Sequence, residues 1–385
     1  MHSGTYSGTY SGTHSGTHSG TTDTLQQMLN AYDPSLGLTR ASTPPASWYT
    51  EPEFFRAECR QVFHQNWLLA ARVEQLHEAG DYLALDVAGE PILLVRDQSL
   101  RAFYNVCRHH AAQVMPEGEG CAKALHCPYH GWTYNLDGSL RRAPKFDGAE
   151  NFNPDSQGLV SIRVDTWANW IFVCLNPQSM SLQQYLGDLM QRLGRLDVTR
   201  LEFTQRVSYE MNCNWKVYVD NYLDGGYHVP FLHKDLSSAL DNSGYQIETA
   251  TRYCLQSCPI ASEETGSAVR TGDMAYYYWL YPNTMINWYE GVMDVNIVQP
   301  VAPDRCRVHF DYYFEGQSDA FRQQSIALAH QVQKEDIQIS ESVQRGLHSA
   351  SYDTGRLSPV KEAGEHLFHR LLHADMQRAL SGNDT

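Results

Sequence analysis

Cys107-Arg108-His109 and, seventeen residues further on, Cys127-Pro128-Tyr129-His130 are the most informative stretches of this chain. Each stretch carries one thiol and one imidazole, so together they offer two mixed Cys/His arms to a metal group. A structural zinc site usually takes a pair of cysteines from one arm and a pair of histidines from the other. The mixed arms therefore favour a group other than zinc, which remains the weaker alternative.

A Rieske [2Fe-2S] cluster has the ligand set that these arms supply, with two cysteines on one iron and two histidines on the other. The histidines raise the reduction potential of such a cluster above that of an all-cysteine cluster. The surrounding sequence agrees, since residues 105–109 and 127–132 resemble the two ligand loops of a Rieske centre. We therefore predict that a Rieske cluster is held by Cys107, His109, Cys127 and His130.

The composition argues against several classes of protein. A length of 385 residues allows two domains of ordinary size, each with its own core. The formal net charge of −15 argues against a nucleic-acid partner, because phosphate binding needs a basic face. No apolar run is long enough to cross a bilayer, and the first residues lack the basic-then-apolar pattern of a secretory signal. We therefore expect a cytoplasmic protein with no membrane segment and with reduced thiols.

Three regions are predicted along the chain. Residues 1–22 repeat Ser-Gly-Thr followed by Tyr or His, and a segment with so few aliphatic side chains cannot form a core. We assign a disordered low-complexity tail to residues 1–40, although ordered chain is expected to begin within residues 24–29. Residues 41–177 form the predicted cluster domain, and residues 178–385 form a second domain.

The fold class follows from the spacing of the apolar residues. Short β-branched runs at 82–87 and 100–106 are bounded by turn residues, which predicts antiparallel strands in a small all-β domain. In the second region, aromatic-rich strands between residues 274 and 314 precede two helices, roughly 319–346 and 361–380. We therefore predict an α+β protein, with a small all-β Rieske domain followed by a catalytic domain of antiparallel sheet gripped by helices.

A second metal site is predicted in the second domain. His228 and His233 are five residues apart, with Pro230 between them. Because proline disfavours a continuous helix, we expect His228 to end one helix and His233 to lie on the following turn. Such a pair is weak evidence by itself, but an electron-donating cluster upstream needs an acceptor. Two histidines and one carboxylate would make the facial triad of a non-haem Fe(II) oxygenase, with open positions for dioxygen.

Helical phase identifies a candidate for the third ligand. In the predicted helix 319–346, Asp336 falls on the same face as the aliphatic residues Ile339 and Val343. Its neighbour Glu335 falls on a polar face instead. A carboxylate on a buried stripe needs a cationic or hydrogen-bonding partner, and a metal ion supplies one. We therefore predict Asp336 as the third iron ligand, with a structural salt bridge as the alternative.

The order of these parts resembles the catalytic subunit of the Rieske non-haem iron oxygenases over nearly the whole chain after residue 45. The likeness is greatest to the choline monooxygenase branch of that family. It is carried by residues 214–217, 220–233, 281–287 and 341–347. The resemblance implies a homotrimer, or a multiple of it, in which the cluster of one subunit reduces the iron of its neighbour. It also implies a separate electron donor, either a ferredoxin or a reductase with flavin and a [2Fe-2S] cluster.

The activity implied by the resemblance is the hydroxylation of choline to betaine aldehyde hydrate, which consumes O2 and two electrons. Tyr281, Trp288 and Tyr289 lie on strands that we expect to line the substrate pocket, and aromatic faces attract quaternary ammonium groups. Three alternatives remain open. A related oxygenase would demethylate a betaine or a carnitine-like amine, a ring-hydroxylating dioxygenase would use the same iron on an arene, and a pure electron carrier would need no second metal.

One position departs from the pattern of the family. Many Rieske oxygenases carry a carboxylate three residues before the first iron histidine, where it bridges to a cluster histidine of the neighbouring subunit. That position is Gly225 in this chain. Asp224 and Asp220 are the available substitutes. Asp224 is preferred, because the glycines behind it allow the backbone to turn it toward the interface.

A basic patch near the cluster motif is the predicted docking surface for the electron donor. It comprises Arg108, Arg141, Arg142 and Lys145 in a chain that is otherwise strongly acidic. Small electron carriers are commonly acidic, so opposite charge would favour their encounter at this patch. A solvated loop without a partner is the alternative.

Overall fold

The computed structural model describes residues 18–261 and 269–380. The repeats of residues 1–17 lie outside this range, so the disorder predicted there stays a prediction. Within the described residues, the strands form two sheets of seven strands and one of three. All their ladder pairings are antiparallel. No described helix is both long enough and apolar enough to span a bilayer.

The beginning of the described chain packs against the body of the protein. Met28, Leu29 and Tyr32 are buried in the main core. The indole of Trp48 donates a hydrogen bond of 2.9 Å to the carbonyl of Met28. The prediction of a disordered tail as far as residue 40 is therefore wrong from residue 28 onward, because the apolar side chains at 28–32 are numerous enough to join the core.

Between residue 18 and the middle of the chain, the structure describes ten strands. They are β1 (Leu68–Arg72), β2 (Asp81–Val87), β3 (Glu90–Arg96), β4 (Leu100–Tyr104), β5 (Gly118–Cys121), β6 (Leu125–His126), β7 (Thr133–Tyr134), β8 (Leu140–Arg142), β9 (Ser161–Trp167) and β10 (Trp170–Cys174). The first seven-stranded sheet has the order β1-β10-β9-β4-β3-β2-β5, and β6, β7 and β8 form the three-stranded sheet.

Strand β3 separates two cores. Its central residues, from Ile92 to Val95, are all fully buried. Because successive side chains of a strand point to opposite faces, Ile92 and Leu94 join the main core, whereas Leu93 and Val95 join a smaller core. The smaller core also contains Trp132 and the two cysteines of the predicted cluster. The cluster loops are therefore anchored on one face of the first sheet.

The second half of the chain builds the larger sheet. Its strands are β11 (Glu202–Met211), β12 (Gln246–Thr249), β13 (Tyr253–Pro259), β14 (Met274–Leu280), β15 (Thr284–Tyr289), β16 (Val292–Ala302) and β17 (Arg305–Phe314). Their order across the sheet is β11-β17-β16-β15-β14-β13-β12.

Along the described chain, helices precede the first strand, separate β10 from β11 and β11 from β12, and follow the last strand. They are α1 (His18–Asn30), α2 (Ser47–Thr50), α3 (Pro52–Glu58), α4 (Leu182–Leu186), α5 (Leu189–Gly194), α6 (Trp215–Leu223), α7 (Val229–Leu232), α8 (Lys234–Ala239), α9 (Asp319–Leu347) and α10 (Ala363–Leu380). A π-helical turn spans Cys59–Phe63, and 3₁₀ turns span Val73–Leu76, Pro154–Ser156, Val198–Arg200 and Asn242–Gly244.

The larger sheet is covered on both faces. On one face, Tyr278 and Ile286 share a core with Trp170 of β10 and Leu182 of α4, so this core joins the two halves of the chain. On the other face, α6 contacts β16 and β17, and α9 packs against α6. An antiparallel sheet flanked by helices, in an α+β protein, is the predicted architecture, and this prediction is confirmed.

A buried ion pair ties the start of α6 to α3. The Nζ atom of Lys216 lies 2.7 Å from Oε1 of Glu58, and both side chains are fully buried. The indole of Trp215 donates a further hydrogen bond of 3.1 Å to Glu58. Burial opposes both charges, so it raises the pKa of Glu58 and lowers the pKa of Lys216, while their attraction acts in the opposite direction. The pair fixes the helix from which the metal-site segment emerges.

Candidate cluster and metal sites

The two predicted cluster loops have the same local geometry. In the first, the Ala111 amide donates to the Cys107 carbonyl at 3.0 Å, and in the second, the Gly131 amide donates to the Cys127 carbonyl at 3.2 Å. Ala111 and Gly131 both have positive φ, 59° and 73°. The buried side chain of Asn105 holds the first loop by accepting the amide protons of residues 114 and 115. Both loops therefore turn tightly and present their side chains to the same point.

The cysteines face inward and the histidines face outward. Cys107 and Cys127 are each 3% exposed, whereas His130 is exposed and His109 is half-buried. The imidazole rings of His109 and His130 lie 4.7 Å apart between centroids. The Nδ1 atom of His109 is buried without a hydrogen-bond partner among the described residues. Two buried thiols, two converging imidazoles and an unsatisfied ring nitrogen fit a [2Fe-2S] cluster with mixed ligands.

The second site brings together the three predicted iron ligands. His228, His233 and Asp336 each offer one ligand atom, and these atoms lie within 4.8 Å of one another. Nε2 of His233 lies 3.0 Å from Oδ1 of Asp336, and Nε2 of His228 lies 4.0 Å from the same oxygen. Two imidazole nitrogens and one carboxylate suit a non-haem iron with open positions, so the donor set fits that metal.

The local structure around the histidines differs from the prediction. Helix α6 ends at Leu223, and His228 caps the start of the short helix α7 instead of ending a helix. Pro230 lies in the first turn of α7. Proline is tolerated there because the first amide groups of a helix have no partner within the helix. His233 directly follows α7, so one short helical turn separates the two imidazoles.

The second ring nitrogen of each candidate histidine ligand has its own partner. Nδ1 of His228 donates to Oδ2 of Asp224, and Nδ1 of His233 donates to Oε2 of Glu335, each at 2.6 Å. The amide of Asn221 donates to Asp336 at 2.8 Å. Such contacts fix the tautomer of each imidazole and turn its Nε2 toward the metal. Glu335 was predicted only to lie on a different face from Asp336, and its contact with His233 was missed.

Helix α9 presents a polar face to the protein and part of its apolar face to solvent. Gln333, Asp336 and Ser340 are buried, whereas Ile339 and Val343 are 39% and 45% exposed. The position of Asp336 next to the histidines agrees with the prediction. The argument from an aliphatic stripe is wrong, because α9 packs through hydrogen bonds such as that from Tyr218 to Gln333, 2.7 Å long.

A cavity of about 140 Å³ lies beside the three ligands. Its floor is one face of the larger sheet, where Tyr277, Asn287, Asp294 and Tyr312 are cross-strand neighbours in one row. Tyr222 of α6 contributes to the opposite wall and donates a 2.8 Å hydrogen bond to Asn287. The other tyrosines of the lining are Tyr218, Tyr245 and Tyr289.

Only one of the three predicted pocket residues lines this cavity. Tyr289 does so. Trp288 points to the other face of β15, where it packs against Tyr276. Tyr281 is fully buried and donates to Asp375 at 2.9 Å. The assignments of Trp288 and Tyr281 are wrong. Alternation along β15 sends Trp288 and Tyr289 to opposite faces, and the register was not known. Tyr281 lies in the turn between β14 and β15 instead of on a strand.

Asp294 and Arg270 are cavity residues that the sequence analysis missed. Burial raises the pKa of Asp294 to about 6, while a hydrogen bond from Asn287 and the charge of Arg270 act to lower it. The signal available in the sequence was a carboxylate within the stretch 292–298, whose other residues except Asn296 are apolar. No comparable signal marks Arg270.

The two candidate bridging carboxylates have different partners. Asp224 contacts His228, whereas Asp220 accepts hydrogen bonds from Tyr49 at 2.7 Å and from His369 at 2.8 Å. Both line a second cavity of about 230 Å³, together with Glu362 and Glu365. Of the two, Asp224 is therefore the one linked directly to a candidate iron ligand.

Comparisons with known proteins agree with the two sites. A family model described as "Rieske [2Fe-2S] domain" matches residues 66–153, and one described as "Ring hydroxylating alpha subunit (catalytic domain)" matches residues 198–378. The chloroplastic choline monooxygenase of Arabidopsis thaliana is 37% identical over 371 residues, which cover 92% of this chain and 87% of the relative. The chain belongs to the Rieske non-haem iron oxygenases.

Other relatives of the oxygenase are named for carnitine instead of choline. The carnitine monooxygenase oxygenase subunit of Escherichia coli K12 is 33% identical, with 86% of this chain and 93% of the relative covered. A solved quaternary ammonium Rieske monooxygenase, described for carnitine oxidation and inter-subunit electron transfer, superposes with a TM-score of 0.81 at 29% identity, covering 89% of this chain and 97% of the other. A Rhodococcus naphthalene 1,2-dioxygenase shares the fold, with a TM-score of 0.75 at 20% identity, covering 94% of this chain and 98% of the other.

Family membership decides several of the earlier alternatives. The oxygenase carries a Rieske [2Fe-2S] cluster and a mononuclear iron, as predicted. A zinc site at the cluster motif and a pure electron carrier without a second metal are therefore excluded. Which residues hold the cluster and which hold the iron are proposals.

Proposed function

We propose that this oxygenase is a monooxygenase of small quaternary ammonium compounds. The observation that carries the proposal is the cavity beside His228, His233 and Asp336, lined by tyrosines and a single further carboxylate, Asp294. Aromatic faces and a carboxylate attract a trimethylammonium group, with each cation–π contact worth about 0.5 to 2 kcal/mol. Relatives named for choline and for carnitine support the same class of substrate.

Choline is the first substrate to test, because five of the relatives are named choline monooxygenases. The balanced reaction joins choline, O2, two electrons and two protons to give betaine aldehyde hydrate and water. A carnitine-like amine is the second candidate, since the carnitine enzymes cover a similar share of the chain. Ring hydroxylation has less support, because the naphthalene dioxygenases share the fold alone.

The proposed ligands follow the geometry of the two sites. The iron would activate dioxygen and the cluster would supply electrons singly. Asp224 and Glu335 hold the Nδ1 protons of the two histidines, and Asn221 holds the carboxylate of Asp336. The proposed cluster ligands are Cys107, His109, Cys127 and His130, and the proposed iron ligands are His228, His233 and Asp336.

The chain itself would bind and orient the substrate. A hydrogen-bond chain runs from the hydroxyl of Tyr222 to Asn287 and from the Asn287 amide to Asp294, at 2.8 and 2.7 Å. This chain holds the Asp294 carboxylate in the row of side chains on the sheet floor. The aromatic walls would exclude water around the bound cation, which strengthens its attraction to the carboxylate.

The proposed assembly is a homotrimer, or a multiple of it, in which electrons cross between subunits. The cluster loops of one subunit would dock at the second cavity of its neighbour, where Asp224 joins the interface to His228. Asp220, which accepts hydrogen bonds from Tyr49 and His369, is the weaker candidate for this bridge. A ferredoxin or a flavin/[2Fe-2S] reductase would dock at the exposed residues Arg141 and Arg142. The cytoplasmic location and the boundary between residues 177 and 178 remain predictions.

A substrate screen tests the proposed function. The metal-loaded enzyme and a surrogate reductase would be supplied with choline, carnitine, γ-butyrobetaine, glycine betaine and naphthalene, while NADH and O2 consumption are recorded. We expect a quaternary amine to stimulate coupled consumption and to give an aldehyde product. Stimulation by naphthalene alone, with a cis-dihydrodiol as product, contradicts the proposal. Asp336→Ala enzyme serves as the control for consumption that does not depend on the iron.

A further inference from the structure

The substrate cavity contains a cation that the proposed reaction does not use. The side chain of Arg270 lines the cavity, and its Nε donates to the hydroxyl of Tyr289 at 3.1 Å. Its guanidinium also lies 5.5 Å from the centre of the Tyr289 ring. Among the described residues, no carboxylate is close enough to form an ion pair with Arg270. A guanidinium carries five N–H donors, and among the described residues the hydrogen bond recorded for that of Arg270 is the one to Tyr289.

Asp294 is the remaining charged side chain of the lining outside the three candidate iron ligands. It accepts a hydrogen bond from Asn287. The charge of Arg270 acts on Asp294, yet burial prevails and the pKa of Asp294 stays raised, at about 6. The charge of Arg270 therefore offsets only part of the effect of burial on the pKa of Asp294. The cavity offers one positive and one negative group that are not bonded to each other.

We propose that the cavity binds a zwitterionic quaternary amine, with its trimethylammonium group at Asp294 and its carboxylate at Arg270. This inference rests on the proposed function and narrows it to substrates that carry both charges. A planar guanidinium binds a carboxylate through two parallel hydrogen bonds, which is the reason arginine is favoured at such sites. Choline has no anionic end, so it would leave the guanidinium of Arg270 without a counter-charge in the cavity.

A matched pair of ligands tests the role of Arg270. γ-Butyrobetaine and its methyl ester have the same cation, but the ester has no negative charge. Binding of both compounds and of choline to the metal-loaded enzyme would be measured by calorimetry. We expect the acid to bind about 10- to 100-fold more tightly than the ester, since a charge-assisted hydrogen bond contributes about 1.5 to 3 kcal/mol.

Substitutions at the two charged residues separate their roles. Arg270→Gln should remove the preference for the acid over the ester, while Arg270→Lys should restore part of that preference. Asp294→Asn should weaken the binding of all three compounds to a similar extent. The Rieske absorption spectrum and the thermal midpoint of each variant would show that it is folded and retains its cluster.

The wild-type measurement alone is able to overturn the inference, even if a variant fails to fold. Equal binding of acid and ester, or tighter binding of choline, overturns the inference but leaves the proposed function intact. Failure of every quaternary amine to bind overturns both. An equal loss of affinity for all three ligands in Arg270→Gln also contradicts the inference, because it would indicate a structural role.

Discussion

Asp336 and Glu335 are consecutive in the chain, yet they contact the two different nitrogens of one imidazole, that of His233. Asp336 lies at the metal side of the ring and Glu335 at the other. Burial alone would lower the pKa of His233, but the hydrogen bonds and charges of the two carboxylates raise it overall. A metal in the site would take the place of the proton between His233 and Asp336.

Removal of Asp336 should therefore release the mononuclear iron alone. We expect iron content to fall from about three to about two atoms per chain in Asp336→Ala, with the Rieske absorption unchanged. Glu335→Gln is the matched control and should keep the iron with an affinity lowered by about 10- to 100-fold. Full iron in Asp336→Ala, measured by metal analysis, would exclude Asp336 as a ligand.

Asp224 should matter for turnover through His228. Asp224→Asn replaces the acceptor of the His228 proton with an amide, so we expect turnover to fall by about 10- to 100-fold while the cluster remains intact. Asp220→Asn is the comparison, since Asp220 contacts Tyr49 and His369 instead of a candidate ligand. Full turnover in Asp224→Asn together with loss in Asp220→Asn would reverse the assignment of the bridging carboxylate.

The raised pKa of Asp294 predicts a pH dependence of substrate binding. Arg270 is the charged group of the cavity lining that acts on it, and the neighbouring Tyr277 and Tyr312 have pKa values raised by burial, so they are neutral. Asp294 is ionised above about pH 6 and loses its charge as pH falls through that value. The dissociation constant of a quaternary amine should therefore rise by up to about tenfold per pH unit below 6. In Asp294→Asn this dependence should disappear, which titration calorimetry at several pH values would show.

Spacing in the sequence was sufficient to predict which residues converge at the two candidate metal sites, whereas the lining of the cavity beside them depends on strand register. Cys/His spacing and the His228 pair are local patterns, and each was placed correctly near its partners. Trp288 was misassigned because side-chain alternation along β15 cannot be phased without the pairing of strands. Tyr281 was misassigned because it lies just beyond β14, in the turn before β15. Arg270 enters the cavity from a connection between strands, where no periodicity applies.

At the scale of elements, the turn between α6 and α7 has no room for a side chain at Gly225. Gly225 and Gly226 have φ of 69° and 66°, a conformation that L-residues rarely adopt. A Cβ atom at Gly225 would collide with the backbone carbonyl of Lys361 and lie 2.6 Å from the side chain of Ile247. The carboxylate that the family resemblance leads one to expect at this position therefore cannot be accommodated here, which supports the proposal of Asp224 as its substitute.

Substitution at Gly225 should destabilise the protein even when it restores the common carboxylate. We expect Gly225→Ala and Gly225→Asp each to lower the free energy of unfolding by about 2 to 4 kcal/mol, because strain and collision add. Gly346→Ala is the matched control, since Gly346 lies in α9 with nothing within 4 Å of its added Cβ. That control should be neutral or stabilising by about 1 kcal/mol. Denaturant unfolding would measure all three, and an unchanged midpoint for Gly225→Asp would contradict this account.

At the scale of the whole molecule, the two domains and their order were predictable because each carries its own motif and periodicity. The core that joins them was not predictable. Trp170 and Tyr278 both belong to it, although they are far apart in the chain and lie in different sheets. Contacts of this kind depend on how two complete sheets pack against each other, and no local sequence pattern predicts that packing.

Co-assembly of two inactive variants would test whether electrons cross between subunits. Cys107→Ala lacks a proposed cluster ligand and Asp336→Ala lacks a proposed iron ligand, so each should be inactive alone. In a ring where each cluster serves the next iron, random co-assembly leaves about a quarter of the cluster–iron pairs intact. We expect about that share of wild-type turnover from co-expressed variants. No recovery in verified mixed assemblies would indicate transfer within a single chain.

In the proposed trimer, helix α9 would tie iron binding to the concentration of the protein. Near Asp336 its buried residues Gln333 and Ser340 are polar, whereas Ile339 and Val343 are exposed, so this part of the helix is incompletely packed in one subunit. A neighbouring subunit seated on this face would complete the packing and hold Asp336 in place. By mass action, each bound metal would then favour association, and each association would favour the metal. Dilution of the protein would by itself lower the affinity of the enzyme for its mononuclear iron.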